Sequence, residues 1–147
     1  MIEAVLQQAL DSGIQHFVAG GFVIRNNQIL LIRRATHEDF LPGYFEIPSG
    51  GVDQGETVEQ GLLREVKEET NLDVRLSRYL NHFDYIGGRG NAIRQFNFLV
   101  EPLSDTVQLN PDEHDAYEWV ALSHETLDGY QISSKTKDAI LGYLAGV

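Results

Sequence analysis

GGVDQGETVEQGLLREVKEETNL, residues 50–72, passes from a glycine-rich loop into a helix. Thr57 and Gln60 stand three apart, as a capping box requires, and Val58, Leu62 and Val66 recur every four residues, so the spacing predicts a helix from about 57 to 70. Asn71 sits where a left-handed residue ends such a helix. Glu65, Glu68 and Glu69 fall within an arc of about 100° on that helix. The arc adjoins the apolar stripe, which places the carboxylates at the edge of buried surface. Gly61 lies on the same arc one turn earlier, and a glycine there implies that something passes close to the helix. Three acids near a helix C-terminus oppose the macrodipole and repel one another. Two readings follow: a hard-oxygen site for Mg²⁺ or Mn²⁺, or a solvated acidic face partly relieved by Arg64 and Lys67.

Working outward, Ile2, Val5, Leu6, Ala9 and Leu10 keep helical spacing and Gly13 is a stop, which predicts an N-terminal helix over 1–13. Gln15–Arg25 and Gln28–Arg34 read as strands joined by a tight hairpin at Asn26-Asn27. Pro42-Gly43 marks a turn before the short apolar stretch Tyr44–Ile47 and the loop PSGGVDQGE, whose three glycines permit close backbone approach. Strands are expected over Val74–Tyr85 and Asn91–Glu101, flanking the tip Gly87-Gly88-Arg89-Gly90, and over Tyr117–Ala121. Ser123 and Ser134 are candidate caps for a short helix and a final helix burying Ile140, Leu141 and Leu144. No linker or repeat divides the chain, so residues 1–147 are expected to form one α/β (α+β) domain, a mixed central sheet covered by helices on both faces.

Composition narrows the function. Twenty-two acidic against eleven basic residues give a net charge of −11, which works against a nucleic-acid polymer as partner. A phosphate ligand would therefore need cations held by carboxylates. The chain has no cysteine, which removes disulfide frameworks, thiolate metal sites and cysteine nucleophiles. The longest apolar run, Phe17–Ile24, is too short to span a bilayer, and the N-terminus lacks a basic region before an apolar core. A cytoplasmic protein with no membrane partner is expected.

Gly50, five residues, Glu56, seven residues and then Arg64-Glu65-Val66-Lys67-Glu68-Glu69-Thr70-Asn71-Leu72 resembles the signature of the Nudix hydrolases at every specified position except a late glycine, here Asn71. The segment FEIPSGG before it and the strand carrying Trp119 after it also look like that family's surroundings. The resemblance implies an alpha-beta-alpha sandwich that hydrolyses a diphosphate linkage in a nucleoside diphosphate-linked compound, with Mg²⁺, or Mn²⁺, as cofactor. It implies that Glu65, Glu68 and Glu69 are metal ligands, one of them a possible base, with Glu56 and the Gly50 carbonyl as weaker candidates. Arg64 is expected to orient the carboxylates. Glu113 stands in a region where the family supplies a further acidic ligand or general base, although an ordinary loop acid would look the same.

Other signals carry less. The tip GGRGN lacks the lysine and following helix of a phosphate loop. His16, His37, His82, His114 and His124 show no zinc spacing, and only His114, beside Glu113, invites a minor proton-carrying role. Arg33 and Arg34 either meet substrate phosphates or form an edge-strand charge pair. One or two of Phe17, Phe22, Tyr44, Phe45, Phe83 and Tyr85 could stack on a base, the rest being strand core. Nucleoside triphosphates and dinucleoside polyphosphates are favoured over ADP-ribose or coenzyme A, because neither the downstream proline nor the upstream motif of those subfamilies is found. The competing function is a non-catalytic nucleotide sensor with the same fold, and a homodimer is left open.

Overall fold

The computed structural model describes residues 2–146. The chain runs α1 Ile2–Asp11, β1 His16–Arg25, β2 Gln28–Arg34, β3 Phe45–Glu46, β4 Ser49–Gly51, α2 Val58–Thr70, β5 Val74–Ile86, β6 Ala92–Pro102, β7 His114–Ala121, α3 His124–Asp128 and α4 Ser134–Leu144. Residue 1 of the expected first helix lies outside the described residues.

The seven strands form one mixed sheet ordered β3-β2-β1-β6-β5, with β4 added to β1 and β7 to β2. Among the described residues β1 and β6 form the one parallel ladder, the other ladders being antiparallel, and Phe45 of β3 adds an isolated parallel bridge to Ile132. The hairpin from β1 to β2 turns through Asn26 and Asn27 at φ 52° and 59°, the left-handed pair that matches strand twist. Beyond that turn the two strands diverge. The start of β1 pairs with β4 through Val18–Gly51, Ala19–Gly50 and Gly20–Ser49, whereas its end pairs with β2 at Ile24–Ile29. The glycine loop is thereby stitched to the sheet directly beside α2.

Helices cover both faces. Val58, Leu62 and Val66 of α2 join Ala9 of α1 and Val23, Leu30, Ile32, Phe96 and Val100 of the sheet in one core. Leu127 of α3 and Ile140 of α4 pack with Phe22, Ile29, Leu31 and Val120 in the other, with Leu141 and Leu144 half-buried at its margin. Strands with apolar side chains on both faces, such as Ile29–Ile32, are what a sheet clad on two sides requires.

Two expectations shift. The strand expected over Tyr117–Ala121 begins at His114, because the acidic run Asp112–Asp115 hides the alternation and the ladder to β2 carries an irregularity opposite Arg33 and Arg34. The cap of the last helix is Ser133, not Ser134; its hydroxyl donates to the Thr136 hydroxyl at 3.1 Å and makes no backbone cap bond. Ser123 does cap α3, accepting from the Thr126 N–H at 3.1 Å.

Candidate functional site

The site grows from the end of α2. Thr57 accepts from the Gln60 N–H while the Gln60 side chain accepts from the Thr57 N–H, so the capping box fixes where the helix starts and hence which way its acids face. The apolar stripe seats α2 on the sheet and brings Glu69 to the rim of the core, where it is only 7% exposed. The Ser49 N–H of β4 donates to Glu69 Oε1 at 2.7 Å. Gly50 comes so close to Glu65 that a Cβ there would collide with its carboxylate. Gly61 lets Val52 and Glu56 approach α2, its absent Cβ lying 3.3 Å from each.

Arg64 is the hub of the loop-helix unit. Its guanidinium donates to both Glu56 oxygens at 2.7 and 2.8 Å, to the Gly51 carbonyl at 2.9 Å, to Glu65 Oε1 at 2.8 Å and to Glu68 Oε2 at 3.2 Å. These charge-assisted bonds hold the Glu56 carboxyl down from its ordinary 4.5 to about 2, with the Asp53 N–H adding to the effect. Glu68 keeps a side chain 58% exposed and faces outward beside Arg64.

Across from α2, β3 and β7 bring in residues from far along the chain. Glu46 Oε2 accepts from Arg34 at 3.3 Å and lies 2.7 Å from His114 Nε2. Ligand atoms of Glu69, Glu113 and His114 all lie within 4.8 Å of one another. Burial pushes the Glu69 carboxyl well above the usual range, and Glu46, Glu65 and Glu113 push it the same way against the Ser49 N–H. Burial also raises Glu65, with Arg64 opposing. Among the described residues no arginine or lysine pairs with Glu69. A buried carboxylate beside three others, with hard oxygen donors converging, fits a divalent cation.

The structure separates the two neighbouring arginines. Arg33 donates to Asp115 of β7 at 2.7 Å, a cross-strand pair on a strand flanked by β3 and β7 and not at a sheet edge. Arg34 faces inward, donates to the Phe40 carbonyl at 2.6 Å and lines a cavity of about 480 Å³. That cavity reaches Glu46, Gly50 and Glu69 at one side and is walled by Phe83 and Tyr85, the two aromatics of the candidate set that alternate inward on β5. Lys135 at the start of α4 also lines it. Sequence reasoning missed Glu46: a single acid in a two-residue strand has no periodicity to mark it, and only pairing of β3 with β2 turns it toward Glu69.

A family profile described as NUDIX domain matches residues 15–137. The chain is 46% identical over 98 residues to the ADP-ribose pyrophosphatase of Methanocaldococcus jannaschii, a match covering 65% of this chain and 56% of that protein. It is 30% identical over 117 residues to Nudix hydrolase 2 of Arabidopsis thaliana, covering 76% of this chain and 41% of that one. The crystal structure of MutT NUDIX hydrolase from Burkholderia pseudomallei superposes with a TM-score of 0.75 at 27% identity, over 86% of this chain and 96% of the other. This chain belongs to the NUDIX domain family. The chain spans only part of these relatives' length, 41% of the plant protein and 56% of the archaeal one. Among the described residues no helix is long and apolar enough to cross a membrane.

Proposed function

We propose that this chain is a hydrolase dependent on Mg²⁺ or Mn²⁺ that cleaves the phosphoanhydride linkage of a nucleoside diphosphate-linked compound. The observation that carries this reading is Glu69: a buried carboxyl crowded by Glu46, Glu65 and Glu113, with no arginine or lysine paired to it among the described residues, at the edge of an aromatic-walled cavity. In that reading Glu65, Glu68 and Glu69 hold the cation, with the Gly50 carbonyl beside them. Bound there, a divalent ion would neutralise diphosphate charge and make a water easier to deprotonate. Arg64 positions the carboxylates through its bonds to Glu56, Glu65 and Glu68. Arg34 and Lys135 face the phosphates, and Phe83 or Tyr85 stacks on the base. Arg33 is engaged by Asp115 and ties β2 to β7. Glu113, on the loop before β7 and with a ligand atom within 4.8 Å of those of Glu69 and His114, adds a further acidic ligand to this set or accepts the proton of the attacking water. We also read the chain as one domain, since α1 packs into the same core as α2.

Nucleoside triphosphates and dinucleoside polyphosphates remain the substrates favoured by the sequence, while the name of the archaeal relative adds ADP-ribose to the panel. The test is hydrolysis of that panel with Mg²⁺ and with Mn²⁺, resolving pyrophosphate, monophosphate and sugar-phosphate products. Metal-dependent product formation that chelation abolishes is expected. Tight nucleotide binding with no product under either ion would overturn the hydrolase and leave the nucleotide sensor.

A further inference from the structure

His114 is 2% exposed and its Nδ1 has no hydrogen-bond partner, the one such buried side-chain atom found among the described residues. The other ring nitrogen defines the tautomer. Nε2 lies 2.7 Å from Glu46 Oε2, a carboxylate also held by Arg34, so Nε2 carries the proton and donates it. Nδ1 is then a lone-pair acceptor, buried without a donor, and such an orphan is costly unless something binds it. The residue also stands in a cluster: Glu69, Glu113 and His114 each offer a ligand atom, and these atoms lie within 4.8 Å of one another. The register shift in the β2–β7 ladder between Arg33 and Arg34 leaves the Asp115 side chain bonded to Arg33 and sets His114 opposite Arg34, buried.

A carboxylate gripping one imidazole nitrogen so that the other presents its lone pair is how proteins orient histidine toward a metal. We propose that His114 supplies a nitrogen ligand through Nδ1, joining Glu69 and Glu113 in a mixed nitrogen–oxygen site that selects Mn²⁺ over Mg²⁺. The inference rests on the reading that these carboxylates hold a divalent cation, and goes beyond it by adding a ligand that favours a transition metal, since imidazole suits first-row transition ions whereas Mg²⁺ takes oxygen donors. Glu46 is a positioning residue here: it fixes the tautomer and ring orientation without touching the cation.

Pulsed electron paramagnetic resonance of the full chain loaded with Mn²⁺ tests the assignment. Wild-type protein should show ¹⁴N modulation that converts to the ¹⁵N pattern when histidine is ¹⁵N-labelled, and His114→Gln should lose it. Competition calorimetry should show the preference for Mn²⁺ over Mg²⁺ falling about tenfold in that variant. Bound Mn²⁺ without nitrogen coupling, or coupling that survives His114→Gln, would overturn the ligand assignment while leaving the carboxylate site standing. Absence of any Mn²⁺ binding would overturn the cation reading and this inference with it. Should His114→Gln fail to fold, the variant with His16, His37, His82 and His124 all changed to glutamine decides: retained coupling supports His114, and lost coupling with Mn²⁺ bound overturns it.

Discussion

Asn71 holds φ 66° at the end of α2, and its N–H donates to the Lys67 carbonyl at 2.9 Å. Asparagine tolerates that conformation and glycine suits it, whereas a β-branched carbon clashes. Asn71→Gly should therefore melt within experimental error of wild type, and Asn71→Val should lose about 1–2 kcal/mol in denaturant unfolding. Glu69 makes an opposite demand, its cost arising from charge and burial. Because its folded carboxyl holds the proton more tightly than the unfolded one, its contribution to stability is present at acid pH and is lost as pH rises through the elevated folded value. In chelator, Glu69→Gln should match wild type near pH 4 and melt higher than wild type at pH 8. An unchanged difference across that range would show that Glu69 is not charge-strained. With metal and substrate the order reverses: Glu69→Gln should lose about 10²-fold or more in turnover.

At the scale of elements, the loop-helix unit is where local and functional demands meet. Thr57→Ala removes one half of the capping box and should cost about 1 kcal/mol, read as a lower melting midpoint. Gly50→Ala acts differently, since what the new methyl meets first is the Glu65 carboxylate at the far end of its side chain. Glu65 can swing away at modest cost to the fold, so the melting midpoint should barely move while turnover and metal affinity fall. Unaffected metal affinity in Gly50→Ala would show that the position of Glu65 is immaterial. This helix was legible because its signals are local: cap, apolar period and left-handed stop all lie within fifteen or so residues. The start of β7 was not, because three acids and a bulge break the period-two pattern there, and the bulge exists only against β2.

For the whole molecule, the acidic loop-helix cluster sets an acid limit. The Glu56 carboxyl, held near 2 chiefly by its hydrogen bonds from Arg64, contributes stability above its ordinary value of 4.5 that is lost as pH falls toward 2. Glu56→Gln should flatten the decline of the melting midpoint over that acid window; an unaltered decline would show that the Arg64 pair is energetically idle. The net charge of −11 adds that divalent cations should raise the melting temperature of wild type more than that of Glu69→Gln. Residues 50–72 by themselves determined the helix, its two ends, the three acids on one arc and, through their spacing, the family, because each depends on neighbours in the chain and helical geometry repeats every few residues. Apolar runs on either side of the Asn26-Asn27 turn likewise exposed β1 and β2, and the glycine tip at 87–90 marked the turn between β5 and β6. What surrounds those acids only tertiary structure decided. Glu46 and His114 stand 68 residues apart in the chain, and nothing local marks them as partners. Pairing of β2 with both β3 and β7 joins them, sends Arg33 outward and Arg34 inward, and encloses Glu69 deeply enough that desolvation dominates its chemistry.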